Sequence, residues 1–129
     1  MSTYSIRPYL DTSYAFTLAS TGRDVTLEKR DSKNNRQLWI EEDNSGGYFM
    51  LENAARHDLC LAIPKGNPNR EVFAYQCDSD FRDQWWAWSD GRLLNSATKN
   101  AAAPKSLSSG AQIIQVHQAS AQAVLVRSN

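Results

Sequence analysis

Apolar positions along this chain come in short runs separated by polar turn formers. Few segments carry apolar residues at i, i+3, i+4 and i+7 over several turns, so helix signals are scarce. Turn clusters recur about every eight to twelve residues: Ser20-Thr21-Gly22, Lys33-Asn34-Asn35, Asn44-Ser45-Gly46-Gly47, Gly66-Asn67-Pro68-Asn69, Ser89-Asp90-Gly91 and Ser108-Ser109-Gly110. The runs between them predict strands over 4–6, 16–19, 25–28, 38–41, 48–52, 59–63, 72–76, 85–88, 93–95, 113–117 and 124–127. Ala101-Ala102-Ala103 is expected to form a helical turn that Pro104 limits. Phe16, Leu18, Leu61 and Leu107 read as core. The pattern is all-β.

A repeat is superimposed on these strands. Gln37-Leu38-Trp39 and Gln84-Trp85-Trp86 share a Gln-x-Trp pattern 47 residues apart. In both copies a valine (Val25, Val72) stands 12 residues before the glutamine. A Gly-containing turn and an apolar strand follow each tryptophan. A third, worn copy is expected at Gln122-Ala123-Val124, preceded by Ser106-Leu107-Ser108 and the strand ending at His117. A four-stranded-blade propeller needs at least four blades, so three units are too few. Three four-stranded units close instead as a β-trefoil, a barrel capped by hairpins. One domain over 1–129 is expected, with units of approximately 1–46, 47–91 and 92–129.

Bulk properties narrow the function. Lysine plus arginine and aspartate plus glutamate number 14 each, giving a formal net charge of zero. That argues against a nucleic-acid partner, which needs a clustered basic face. No apolar run approaches the roughly 20 residues of a membrane span, so no membrane insertion is expected. The opening MSTYSIRPYLDTSYAF has neither a basic start nor an apolar core, and a cytoplasmic or non-classically secreted location is expected. Two cysteines allow free thiols or one bridge, depending on compartment.

Cys60-Leu61, a Gly/Asn loop, a strand ending at Cys77, and then Gln84-x-Trp86 together resemble the ricin B-type (R-type) lectin domain. The resemblance extends over the whole chain in length and repeat count, and its motifs are sharpest in the middle unit. It implies a β-trefoil, a disulfide between Cys60 and Cys77, no cofactor, no catalytic residue, and glycans or glycoproteins as partners. Trp39 and Trp86 read as core, with their glutamines satisfying turn backbone groups. Two other uses of the thiols are weaker. A nucleophilic Cys60 beside His57 lacks a third group, and zinc on His57, Cys60 and Cys77 lacks a fourth ligand.

Sugar sites of this family combine an aromatic face with short polar side chains that fix hydroxyls. Carried over to this sequence, Tyr75 falls at the stacking position and Asp83 at the polar position before Gln84, while the expected acceptor aspartate is Ala62. The candidate set is Tyr75, Asp78, Asp83, Gln84 and Trp88 in the middle unit, with Gln115 and His117 in the third. Ala19, Glu28 and Arg36 are the first unit's counterparts, and Ser108 replaces the aspartate in the third. Trp88 stands where the first unit has Glu41, and Trp85 points away from Trp86. With Tyr75 and Asp83 these two are expected to form an aromatic, polar-rimmed patch, against the readings of local packing or a dimer contact.

The leading expectation is a non-catalytic lectin, working alone, as a homodimer for avidity, or as the cell-binding piece of a toxin. The alternative is a protein-binding trefoil such as a protease inhibitor. An enzyme is disfavoured: His57 and His117 have no nucleophile elbow, P-loop or metal motif beside them.

Overall fold

The computed structural model describes residues 2–64 and 71–128. It holds twelve strands: β1 Ser2–Pro8, β2 Tyr14–Leu18, β3 Val25–Lys29, β4 Trp39–Asp43, β5 Phe49–Asn53, β6 Leu59–Ala62, β7 Phe73–Gln76, β8 Trp86–Ser89, β9 Arg92–Asn95, β10 Ala101–Pro104, β11 Ala111–Val116 and β12 Leu125–Ser128. Six of them, in the order β12-β1-β4-β5-β8-β9, form the barrel wall. The Leu125 N–H donates to the Gly91 carbonyl (2.8 Å) where β12 meets β9. The pairs β2–β3, β6–β7 and β10–β11 are antiparallel hairpins that cap one end. This is a β-trefoil.

The barrel interior explains the apolar pattern. Ile6, Phe16, Trp39, Leu51, Trp86 and Leu93 are fully buried in one cluster, so the alternate residues of each strand that face inward are the ones the sequence keeps apolar. Trp39 and Trp86 play the same part. The Trp39 indole N–H donates to the Phe16 carbonyl (3.1 Å), and that of Trp86 to the Leu61 carbonyl (2.9 Å). Each tryptophan therefore ties a barrel strand to its own hairpin cap. At the β8–β9 hairpin, Asp90 and Gly91 both take positive φ (51° and 74°), the backbone twist that a two-residue turn between antiparallel strands requires.

Three expectations need correction. Ala101–Pro104 is strand β10, not a helical turn, because pairing with β11 (Ala102 opposite Gln115) outweighs alanine's helix propensity. Leu107 is 42% exposed on the β10–β11 turn rather than in the core. The third copy of the Gln-x-Trp pattern is Ala123-Val124-Leu125, one residue later than expected. Val124 closes its 3-10 turn as Leu38 and Trp85 close theirs, which puts buried Leu125 in the tryptophan position. The turn expected at Gly66-Asn67-Pro68-Asn69 lies outside the described residues.

The barrel end away from the caps carries a cluster invisible in the repeat pattern. The Tyr4 hydroxyl donates to the Glu41 carboxylate and accepts from the Trp88 indole N–H (3.1 Å), while Arg127 donates to Glu41 (3.1 Å). Burial, and then the neighbouring Glu41 carboxylate, hold the Tyr4 phenol well above the usual tyrosine range. The folded state thus keeps a proton that the unfolded chain releases above about pH 10. Stability should be intact below that pH and fall above it, by up to about 1.4 kcal/mol per pH unit. Tyr4→Phe should remove most of this alkaline slope in urea denaturations run from pH 9 to pH 11; an unchanged slope would contradict the assignment.

Candidate functional site

On the middle unit, Ala62, Pro64, Tyr75, Phe81 and Asp83 line a shallow cleft of about 210 Å³. Tyr75 is on β7, opposite Cys60 of β6, with its ring 52% exposed. Burial ends part-way along this strand: Phe73 and Ala74 are buried, and Tyr75 and Gln76 are exposed. The Cys60–Cys77 disulfide (sequence separation 17) fixes the hairpin next to it. Both thiols are consumed by this bond, which removes the nucleophile and zinc readings for Cys60 and Cys77.

Asp83 reaches the cleft from the 3-10 turn Arg82–Gln84. Its backbone carbonyl accepts from the Ile63 N–H (3.1 Å) and from the Asn95 side-chain amide (2.8 Å). The position of Asp83 is therefore set by two other elements. Phe81, 49% exposed, opens the same turn and brings a second aromatic to the cleft. Sequence reasoning passed over Phe81; its signal was an unpartnered aromatic in an otherwise polar turn.

Gln84 is corrected from a sugar contact to a brace. It is fully buried, its side-chain carbonyl accepting from the Asp78 N–H (2.9 Å) and its amide donating to the Gln76 carbonyl (2.8 Å). Gln37 does the same in the first unit, with Asp31 (2.8 Å) and Lys29 (2.8 Å). Gln84→Ala should cost about 2–3 kcal/mol in urea denaturation, because two backbone groups in the turn lose their partner. A cost below about 0.5 kcal/mol would show that the turn holds without it. Asp78 lies outside the cleft lining, its carboxylate accepting from the Asp80 N–H (3.0 Å).

The expected aromatic patch does not form as one surface. Trp88 belongs to the Tyr4 cluster, with ring centroids 6.3 Å apart and Arg127 over its face at 5.3 Å. Trp85 packs beside Tyr48 instead, 6.1 Å between centroids. Only Tyr75 and Asp83 of the four share the cleft. Trp85 and Trp88 are three positions apart, so strand alternation turns them to opposite faces.

The other units differ in the same place. The tryptophan hydrogen bonds equate Phe16 with Leu61, so the counterpart of Ala62 is Thr17, not Ala19. Glu28 stands opposite Ala15 as Tyr75 stands opposite Cys60, and accepts from the Thr26 hydroxyl (2.8 Å). Arg36, the counterpart of Asp83, is a cation instead and donates to the Ala19 carbonyl (3.0 Å). In the third unit, Ala103 rather than the exposed turn residue Ser108 matches Ala62, and Val116, opposite Ala101, matches Tyr75. Val116 packs on Ala101, Ala103 and Ala123. Gln115 and His117 do not share a site: Gln115 accepts from the Asn100 amide (3.1 Å), and His117 lines a separate polar depression with Asp90 and Arg92.

The model of the ricin-type β-trefoil lectin domain matches residues 6–123. The chain belongs to this carbohydrate-binding family. Its fold is similar to the designed three-fold symmetric protein ThreeFoil (TM-score 0.84, 18% identity, 98% of each chain covered). It is also similar to the C-half of an earthworm R-type lectin solved in complex with GalNAc (TM-score 0.72, 13% identity, 98% of each covered). A third similar structure is a mosquitocidal holotoxin (TM-score 0.87, 17% identity), of which the chain covers 17% while 98% of the chain itself is matched. No curated protein sequence matches the chain.

Proposed function

We propose that this lectin domain binds neutral glycans through the middle-unit cleft, without catalysis. The observation that carries the reading is the pairing of exposed Tyr75 with Asp83 in one braced depression. An exposed ring presents area to the C–H face of a pyranose at small entropic cost, and a carboxylate accepts from sugar hydroxyls. Phe81 supplies a second apolar wall. With Ala62 in place of an acceptor, fewer hydroxyls are fixed, so one site is expected to be weak, and avidity would come from a second copy of the domain or from a larger protein.

A glycan array with the purified protein and a Tyr75→Ala variant tests this. The expected result is a discrete neutral-glycan hit weakened about tenfold or more in the variant, a loss of about 1.4 kcal/mol. A neutral hit unaffected by the variant would sink the cleft as the site. The absence of any neutral-glycan hit would favour the protein-binding reading, for which the missing acceptor at Ala62 is the specific support; a panel of proteases would then be the next screen.

A further inference from the structure

We propose that the Tyr48–Trp85 face, flanked by Arg82 and Lys99, is a second carbohydrate site that takes a saccharide bearing a carboxylate or sulfate group. It is independent of the Tyr75 cleft and shares no side chain with it. The two rings are tilted 34° to one another with centroids 6.1 Å apart, forming a shallow aromatic shelf. The Arg82 guanidinium stands 5.3 Å from the Trp85 centroid and the Lys99 ammonium 5.8 Å from that of Tyr48. Cation, ring, ring and cation thus follow one another across the surface.

Three features make this shelf a built one. The Trp85 indole N–H donates to the Ser79 carbonyl (2.9 Å), which also accepts from the Asn44 amide (3.3 Å), so the ring is held in place. Lys99 is a non-glycine residue at φ 64°, a costly conformation that its loop maintains. Buried Asn95 enforces it, accepting from the Ala97 and Thr98 N–H groups (3.0 and 3.2 Å) while the Lys99 N–H donates to the Asn95 carbonyl (2.9 Å). Finally, the charges are uncompensated. The ion pairs among the described residues are Arg56–Asp58, His57–Glu52 and Arg127–Glu41, and neither Arg82 nor Lys99 takes part.

Electrostatics point the same way. The Ser96 hydroxyl first, then the Lys99 ammonium and, more weakly, Arg82 hold the Tyr48 phenol below its usual value, so both cations act on this ring. An acidic group seated between the two cations would gain charge-assisted hydrogen bonds while its sugar ring rests on the aromatic shelf. The Tyr75 cleft has no such pair of cations among the described residues of its lining. The two surfaces would sort acidic from neutral saccharides.

The test is calorimetric titration with sialyllactose, lactose sulfate and unmodified lactose at low and high salt. The wild-type protein should bind at least one acidic probe about tenfold or more tightly than lactose, with the advantage shrinking in salt. Arg82→Gln/Lys99→Gln should erase that advantage, and Tyr75→Ala should leave it. Unfolding midpoints control for damage; if the double variant is unstable, Lys99→Glu alone, at an exposed position, should reverse the preference. No acidic preference in the wild type, or a preference that survives loss of both cations, would overturn the proposal. The sialylated and sulfated arms distinguish the source of the charge. The neutral-glycan result with Tyr75→Ala reports on the other site separately.

Discussion

Trp86→Ala is expected to lower the free energy of unfolding by about 4 kcal/mol, a large part of the roughly 5–15 kcal/mol that a domain of this kind holds. Two losses combine. The fully buried indole leaves a cavity at the barrel centre, and the Leu61 carbonyl loses the donor that ties the β6–β7 cap to the wall. Trp86→Phe isolates part of the second loss: it keeps most of the apolar volume and should cost less than half as much. Urea denaturation followed by circular dichroism measures both. An alanine variant within about 1 kcal/mol of wild type would mean that the core does not depend on the repeated tryptophan.

Opening the Cys60–Cys77 disulfide should cost about 3 kcal/mol, as expected for a loop of this length. The bridge also bears on ligand binding, because it joins β6 to the residue just beyond β7, next to Tyr75, and to the turn braced by Gln84. Denaturation with and without reductant should show the stability loss, and Cys60→Ala/Cys77→Ala should reproduce it. The same variant should bind neutral glycan more weakly, since a loosened hairpin must be ordered at the moment of binding. Equal stability of reduced and oxidised protein would contradict the role given to the bridge.

Much of the fold was legible because one physical requirement recurs. A barrel closed by three hairpins needs a bulky residue at each wall-to-cap junction, and two of those residues are tryptophans with a glutamine two places earlier. Where the residues become generic the signal fades. Ala123 and Leu125 fill the third junction with side chains found in any core, so the worn motif was placed one residue early. Ala101-Ala102-Ala103 has helical propensity, and only its pairing partners on β11 make it a strand. Leu107 was taken for core by its hydrophobicity, although it sits in an exposed turn.

Of the candidate cleft, Tyr75 and Asp83 were legible in the sequence, and Phe81 was not. Gln84 carries two readings in the sequence, ligand group and turn brace, and its buried hydrogen bonds to Gln76 and Asp78 decide for the brace. Trp88 reads as part of that surface because it stands where the first unit has Glu41, and the repeat does not say which partner it meets. Its partner is Tyr4, 84 positions away, brought beside it by closure of the barrel.

The three units also differ in a way that bears directly on the proposed function. Arg36 is tied to the Ala19 carbonyl in the first unit, and Val116 packs against alanines in the third, leaving Tyr75 as the exposed aromatic at the equivalent position. The most direct test is the stoichiometry of neutral-saccharide binding, measured by calorimetry with the best array hit. One sugar per chain, weakened about tenfold or more by Tyr75→Ala, is the predicted result. Three sugars per chain, or one bound with unchanged affinity in the variant, would contradict the assignment of binding to the middle unit.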